Sequence, residues 1–506
     1  MRNRIRILAT SDIHGSIYPY DYADKSEQNK GLSRIHTLIS SLRDENTLLI
    51  DNGDTIEGSP LTFYHYEKHP DEVSPVTSVM HDMKYDYINV GNHDFDYGEE
   101  ALMMHLQNLN IPCITSNWIY HNKPYGPTYV IREIAGKKIA VFGITTQYTS
   151  HWEKKGNIMH SHFNDAYQTA KRTLDVLKRL EKPDYIICVY HGGFETDPVT
   201  DMPSDNQTRE NEGYYILTQL KDIDVLIAGH QHCSYCGSKN GTAYTMTLPY
   251  AQELACIDIY PDTDEIIPRI LKNDTEADTD ITKSADDEET ECQLWLDQPL
   301  GTTDIDLSIT NEAEARIHKS QLATFINMVE MEAAGTDIAI SSIFSGAKGF
   351  KQEITMRELV SSYIYPNTLV VKKLTGKELK DYLEKNAYFF TCTNSGIFIS
   401  PEYDLPYPKY YNYDMADGIS YTIKVSNDRD HRIQDLMYHD KPVTDDMTFN
   451  VAMNDYRASG GGNFSMLRKA PVVKEINQSM VSLIAEYIQK HKVIDFKPVN
   501  NIRVMM

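Results

Sequence analysis

The first half of the chain repeats one pattern. A short apolar or β-branched run ends in a polar cluster, and a stretch with helical spacing follows. Alternating strands and helices predict a layered α/β domain with a largely parallel core. Ligands of such sheets collect beyond the carboxyl ends of the strands, so we predict that the five clusters converge. They are Ser11–Gly15, Asp51–Asp54, Gly91–Asp94, His191–Gly193 and Gly229–His232.

Length and an acidic stretch predict two domains. A chain of 506 residues is too long for one ordinary core. From Lys272 to Glu291 the sequence is acidic and has few apolar residues, which is typical of a solvated linker. We therefore predict a first domain at 1–270, a linker at 271–298 and a smaller α/β domain at 299–506. An acidic surface helix of the first domain explains the same composition.

Composition excludes two classes of protein. The hydrophobic share is 41% and no apolar run approaches the roughly 20 residues of a membrane span, so we expect no membrane partner. A formal charge of -24 argues against a polymeric nucleic acid, whose binding depends on Lys and Arg. A small anionic substrate remains compatible, because bound metals can supply a local positive charge.

The cysteines and the first residues bear on location. Seven cysteines without a secretory signal indicate reduced thiols, and Cys233 with Cys236 lack the second pair that a four-ligand zinc site needs. The basic start has only a short apolar stretch before Ser11. If Met1 is the natural start, a cytoplasmic location is expected, whereas a trimmed secreted protein would look the same.

The polar clusters carry the side chains of a metal site. Asp12 and His14 lie two positions apart, so on an extended segment they point the same way. Taken singly, each cluster has an ordinary explanation as a cap, a turn or a hydrogen-bonded histidine. Five clusters after five strand-like runs favour the functional interpretation. The predicted ligands are Asp12, His14, Asp54, Asn92, His191, His230 and His232.

This ligand set predicts two cations and a reaction. Carboxylate and amide oxygens mixed with imidazoles suit Mn, Zn, Fe or Co better than Ca. Seven ligands are too many for one ion and natural for two divalent ions that share a carboxylate. Two metals about 4 Å apart can activate a water and clamp a phosphoryl group. The sequence therefore predicts hydrolysis of phosphate esters.

The motifs Asp-x-His, Gly-Asp, Gly-Asn-His-Asp, His-Gly-Gly and Gly-His-x-His occur in this order and resemble the calcineurin-like metallophosphoesterases. The resemblance implies a four-layer α/β/β/α sandwich in which Asp54 bridges two metals. One metal would be held by Asp12, His14, Asp54 and His232, and the other by Asp54, Asn92, His191 and His230. His93 would stabilise phosphoryl charge or assist the leaving oxygen, with Asp96 orienting its ring. Asp94 stands where many members carry Glu, and we assign it no metal.

The second half is similar to the 5′-nucleotidase family, and within it most to the bifunctional 2′,3′-cyclic-nucleotide 2′-phosphodiesterase and 3′-nucleotidase branch. The similarity lies in the segments Ser362–Thr368, Tyr411–Gly418 and Asn454–Gly461. It implies that the second domain grips the base between two aromatic rings and rotates toward the metals. By this resemblance the substrate-binding residues would be Tyr413, Phe464, Tyr411, Tyr456, Asn367 and Lys348.

Two features qualify the substrate assignment. Tyr413 and Phe464 align with the ring pair, Tyr411 and Tyr456 compete for that role, and core packing is an equal alternative for each. Ser345–Lys348 stands where nucleotidases often carry an arginine, which weakens a strict 5′-nucleotide preference. We predict a 2′,3′-cyclic phosphodiesterase with 3′-nucleotidase activity. The alternatives are a 5′-nucleotidase or UDP-sugar hydrolase and, more remotely, a non-catalytic nucleotide sensor.

Overall fold

The structure is a computed structural model that describes residues 4–204, 207–363, 365, 367–405 and 408–506. Residues 364 and 366, within the Ser362–Thr368 motif, lie outside the described residues. The chain forms two compact units, Met1–Cys292 and Gln293–Met506. No helix in the described part of the chain combines the length and the apolar character of a membrane span.

Two sheets form the centre of the first unit. In spatial order the first sheet contains Glu265–Lys272, Glu253–Tyr260, Ile5–Thr10, Thr47–Asp51 and Tyr87–Ile88, the last three parallel. The second contains Tyr235–Lys239, Thr242–Met246, Val225–Ala228, Tyr185–His191, Lys137–Thr145 and Val130–Ile134, with antiparallel strands at both edges. A small sheet contains Lys123–Pro124, Trp118–Tyr120 and Ser161–Phe163.

The two sheets pack face to face. Ile5 and Ile7 point to one face of their strand, and Leu8 points to the other. Ile5 and Ile7 form one buried cluster with Val141 and Ile187 of the second sheet. Side chains alternate between the faces of a strand, so Leu8 is buried on the outer face, where helices cover the sheet. The helices of this unit are Leu32–Leu42, Pro60–Lys68, Pro75–Met83, Glu99–Leu109, Thr149–Trp152, Ala166–Val176 and Gly213–Gln219, with shorter turns at His93–Phe95 and Leu177–Glu181. The predicted four-layer α/β/β/α sandwich is confirmed.

The acidic segment is not a solvated linker. Glu289 is 6% exposed and accepts hydrogen bonds from the hydroxyl groups of Tyr20 and Tyr22. Glu288 lies 2.9 Å from the Nδ1 atom of buried His65. Tyrosine and histidine partners in the first unit thus hold the start of the helix Asp286–Leu296. The alternative of an acidic helix of the first domain describes this segment, and the two units divide after Cys292.

The second unit is the predicted smaller α/β domain. Its main sheet contains, in spatial order, Asp414–Asp417, Ile338–Ser342, Thr448–Asn454, Thr368–Thr375 and Val472–Ser479. Its longer helices are Gln321–Ala334, Met356–Ser362, Gly376–Asn386 and Met480–His491. A four-stranded sheet contains Lys441–Pro442, Ile433–Tyr438, Ser420–Lys424 and Ile502–Met505. Smaller sheets contain Glu353–Thr355, Pro299–Thr303 and Val493–Ile494, then Leu307–Ser308 with Gly349–Phe350, and Phe390–Thr393 with Gly396–Ile399.

A pair of buried amides ties the two sheets of the first unit together. The Asn89 amide donates to Asn52 Oδ1 at 3.1 Å and to the carbonyl of Ile144 at 2.9 Å. The Asn52 amide donates to the carbonyl of Tyr190 at 3.1 Å. Asn52 and Asn89 follow strands of the first sheet, whereas Ile144 and Tyr190 belong to the second. The bonds therefore fix the carboxyl ends of both sheets at one level.

We predict that Asn89→Leu lowers the free energy of unfolding of the first unit by about 2–4 kcal/mol, because it leaves buried polar groups in both sheets without a partner. Urea unfolding followed by intrinsic fluorescence measures the change. Asn108→Leu is the matched control, since Asn108 lies exposed on the helix Glu99–Leu109. Equal unfolding midpoints for the two variants would contradict the role of the amide pair.

Candidate metal centre

The carboxyl ends of the strands bring the predicted ligands together in two groups. Asp12, His14 and His232 form the first group, and Asp54, His191 and His230 form the second. In the first group the Nε2 atoms of His14 and His232 are 3.0 Å apart. In the second group His191 Nε2 is 3.1 Å from Asp54 Oδ2. Asn92 belongs beside the second group, because the next residue, His93, donates its backbone N–H to Asp54 Oδ1 at 2.8 Å.

Sharp turns give this convergence its local geometry. Five of the seven predicted ligands have a positive φ between 49° and 72°, a conformation that non-glycine residues adopt uncommonly. Asp and His tolerate it better than β-branched residues do. Unusual backbone conformations concentrate at functional sites, where the surrounding structure holds them in place. The five residues are Asp12, His14, Asp54, His230 and His232.

Hydrogen bonds select the nitrogen that two histidines present to the site. The Nδ1–H of His191 donates to the carbonyl of Asn52 at 2.7 Å, and that of His14 donates to the carbonyl of Glu57 at 3.1 Å. A carbonyl only accepts, so Nδ1 carries a hydrogen and Nε2 is the nitrogen that faces the cluster. Such bonds to the outer nitrogen orient metal-ligating histidines.

Three ligand atoms of the second group test whether a cation fits. Asn92 Oδ1 is buried and has no hydrogen-bond partner among the described residues, and the buried atoms Asp54 Oδ2 and His191 Nε2 have no partner there apart from their 3.1 Å contact with each other. Buried polar atoms are otherwise nearly always paired, since each unpaired group costs about 1–3 kcal/mol. A cation coordinated by these donors satisfies all three atoms. The residues therefore fit divalent metal ions.

The pKa shifts of Asp12 and His191 also indicate a site that binds a cation. Burial raises the pKa of Asp12, but the hydrogen bond from His232 and the charge of His191 outweigh it and lower the pKa to about 2. Burial lowers the pKa of His191, whereas the charge of Asp54 raises it to about 9. Without metal, the ionised Asp54 carboxylate thus favours a proton on the His191 imidazole. A divalent cation replaces this proton when it binds.

His93 and Asp96 lie beside the two groups as the resemblance implies. The Nδ1–H of His93 donates to Asp96 Oδ2 at 3.0 Å, and the His93 side chain is 28% exposed. Burial lowers the pKa of His93, but the charges of Asp96 and Asp54 raise it well above its ordinary value. These charges favour the protonated ring, which can donate a proton or a hydrogen bond to an anionic substrate.

Two carboxylates near the centre were given no role by the sequence. Asp94 accepts backbone N–H bonds from Asp54, Thr55 and Gly91 at 3.0, 2.7 and 2.8 Å, so it braces the loop that carries the shared ligand. Glu57 is 1% exposed and its Oε2 atom lies 3.5 Å from His14 Nδ1 and 3.8 Å from His93 Nδ1. The sequence signal for Asp94 was its place in the cluster Gly91–Asp94, whereas Glu57 lies three positions after the cluster Asp51–Asp54.

In the second unit the rings aligned with the base clamp are buried. The Tyr413 ring is fully buried and stacks on Phe389 at 4.8 Å between centroids. The Phe464 ring is 1% exposed and lies 4.4 Å from the Arg457 guanidinium. In this arrangement neither ring can stack on a base, because both side chains are buried in the core of the unit. Core packing, the alternative to the clamp, describes these two residues here.

The other substrate-binding candidates differ in exposure. Tyr411 and Tyr456 are partly exposed, with ring centroids 6.2 Å apart at 69°. The Asn367 amide donates to Asp455 Oδ1 at 3.1 Å, and the Lys348 side chain is exposed. Their contact with a substrate stays a prediction, and the exposed rings are better placed for stacking than the buried pair.

Comparisons with known proteins agree with this geometry. Residues 5–234 match the model of the calcineurin-like phosphoesterases, and residues 299–469 match that of the 5′-nucleotidase C-terminal domain. The chain is 28% identical to the trifunctional nucleotide phosphoesterase protein YfkN of Bacillus subtilis over 98% of its own length, and it spans only 38% of that protein. It is also 28% identical to the 2′,3′-cyclic-nucleotide 2′-phosphodiesterase/3′-nucleotidase of Salmonella typhimurium, over 90% of this chain and 81% of the relative.

A solved structure extends the agreement to the whole chain. A Staphylococcus aureus protein assigned as a 5′-nucleotidase, in complex with α-ketoglutarate, superimposes with a TM-score of 0.94 at 29% identity and covers 99% of this chain and 100% of its own. Two family models in sequence, together with a metal-fitting centre at the strand ends, establish the family. The chain belongs to the calcineurin-like phosphoesterases and carries a 5′-nucleotidase C-terminal domain.

Proposed function

We propose that the chain opens nucleoside 2′,3′-cyclic phosphates to 3′-nucleotides and then hydrolyses these to nucleoside and phosphate. In the first step water adds to phosphorus and the bond to the 2′ oxygen breaks. In the second step water again adds to phosphorus and the bond to the 3′ oxygen breaks. The observation that carries the proposal is the pair of adjacent donor groups, together with the buried Asn92 Oδ1 atom, which has no hydrogen-bond partner among the described residues.

Two divalent cations fit the donor groups. Asp12, His14 and His232 would hold one ion, Asn92, His191 and His230 the other, and Asp54 both. Mixed oxygen and nitrogen donors favour Mn, Zn, Fe or Co. When bound, such ions polarise phosphoryl oxygens and acidify water.

The chain's own residues supply the rest of the chemistry. The Asp96 carboxylate accepts the Nδ1–H of His93, which leaves the Nε2–H of the imidazolium to donate. This N–H stabilises charge on a phosphoryl oxygen or protonates the departing ribose oxygen. Asp94 holds the loop of Asp54 through backbone N–H groups and keeps the shared carboxylate in place.

The relatives support the choice of substrate. The Salmonella relative is named for 2′,3′-cyclic nucleotides, and the Bacillus relative for nucleotide phosphoesters. A second candidate is a 5′-nucleotidase or UDP-sugar hydrolase at the same metals. The name of the Staphylococcus aureus protein supports the 5′-nucleotidase. Ser345–Lys348 offers a lysine rather than an arginine, and this weakens the second candidate.

We predict that Mn²⁺-loaded protein releases phosphate from 2′,3′-cyclic AMP and from 3′-AMP at least 10-fold faster than from AMP. Chromatography separates nucleotide from nucleoside, and a colorimetric phosphate assay gives the rates. UDP-glucose completes the panel. Faster turnover of AMP or UDP-glucose than of the cyclic nucleotide would replace the leading proposal with the second candidate.

We predict that Asp54→Ala loses bound metal and reduces kcat/KM by more than 10³-fold, because Asp54 is the only proposed ligand shared by both ions. Elemental analysis after dialysis measures the metal content. Asp86→Ala serves as the control. Asp86 is partly buried and lies at the amino end of the strand Tyr87–Ile88, whereas the metal centre lies at the carboxyl ends of the strands. Two tightly bound ions in the Asp54 variant would contradict the shared role.

We predict that His93→Ala lowers kcat by about 10²–10⁴-fold while both ions stay bound, since His93 acts on the substrate and not on the metals. Steady-state kinetics and elemental analysis of the same sample separate the two effects. His81→Ala replaces an exposed histidine and should leave both quantities unchanged. Loss of metal together with the His93 ring would show that this residue is a ligand.

A further inference from the structure

His230 is supported on two sides by residues outside the five polar clusters. The ring of Trp152 stacks on the ring of His230, with centroids 5.4 Å apart and an angle of 23° between the planes. Glu210 Oε1 lies 3.4 Å from His230 Nε2. Trp152 ends the short helix Thr149–Trp152, and Glu210 lies on a loop.

The loop that carries Glu210 is bonded to a second loop, which leads into the helix of Trp152. Three consecutive side chains of one loop donate to three consecutive carbonyls of the other in reverse order. The bonds run from Thr146 to Glu210 at 2.7 Å, from Gln147 to Arg209 at 2.7 Å and from Tyr148 to Thr208 at 2.8 Å. The loop containing Glu210 is thereby fixed against the segment that leads into Trp152. Both supports of His230 therefore belong to one connected structure.

The contact with Glu210 fixes which nitrogen of His230 faces outward. The Glu210 carboxylate offers an acceptor to Nε2, so Nδ1 is the nitrogen left for a cation. The rings of His14 and His191 are oriented by hydrogen bonds to backbone carbonyls, which no substitution removes. The ring of His230 is oriented by a contact with a side chain. Its orientation therefore depends on residues that mutation can change.

We propose that Trp152 and Glu210 are positioning residues that fix the ring and the tautomer of His230 and so set the affinity of the second cation site. This inference rests on the metal centre of the proposed function. A carboxylate on the outer nitrogen of a ligating histidine contributes about 10–100-fold in metal affinity. Among the described residues, no hydrogen bond, ion pair or ring contact joins these two residues to Asp12, His14 or His232, so we expect the affinity of the first site to change little.

The test titrates the metal-free full-length chain with Mn²⁺ by calorimetry, which resolves the two binding steps of the wild type. Asn92→Ala removes a ligand of the second site alone and identifies the step that belongs to it. We expect Glu210→Ala and Trp152→Leu to raise the Kd of that step about 10–100-fold and to leave the other step within about 2-fold. Glu210→Gln and Trp152→Phe retain an acceptor and a ring, and should recover part of the affinity.

Glu133→Ala is the matched control, because Glu133 is exposed on the edge strand Val130–Ile134 and should leave both steps unchanged. Equal weakening of both steps with a lowered Tm would show a general structural role and overturn the inference. Unchanged affinities in the Ala and Leu variants would overturn it as well. Complete loss of the second ion in Glu210→Gln would make Glu210 a ligand. A wild type that binds fewer than two ions would instead overturn the proposed function.

Discussion

The amide pair of Asn52 and Asn89 is the interaction on which the centre depends. It joins two sheets whose facing side chains form an apolar cluster, and apolar contacts carry little directional information. Asn52 also accepts the Nδ1–H of His191 through its backbone carbonyl. One residue therefore sets both the level of the sheets and the direction of a ligand. Asp54 lies two positions after Asn52, so the same turn also positions this ligand.

The centre contains strained backbone conformations and buried charges, which the rest of the first unit must stabilise. Five ligands adopt a positive φ, and the Asp54 carboxylate is buried beside other charged groups. Burial of an ionised carboxylate is costly unless opposite charge or hydrogen bonds compensate it. The backbone N–H of His93 and the imidazole of His191 compensate Asp54 in part. The remaining unpaired atoms are those that a cation satisfies, so metal binding and stability are coupled at this site.

Much of this arrangement was predictable from the sequence, and the reason is topological. Parallel strands align their carboxyl ends, so the order of apolar runs and polar clusters was enough to gather Asp12, Asp54 and His191. The acidic segment was less predictable, because its partners Tyr20 and His65 lie more than 200 residues away. The burial of Tyr413 was equally unpredictable, since the sequence does not distinguish an aromatic residue that lines a cavity from one that fills a core. Trp152 and Glu210 belong to no motif, and only the folded loops reveal their contacts.

The helix Asp286–Leu296 has a practical consequence for dividing the chain. The junction of the two units lies inside this helix rather than in an irregular connection. A fragment that stops at residue 270 would remove the carboxylate of Glu289 from Tyr20 and Tyr22 and uncover apolar surface around Cys292, which is fully buried. An independently expressed catalytic fragment should therefore extend through residue 296, where the last turn of the helix closes.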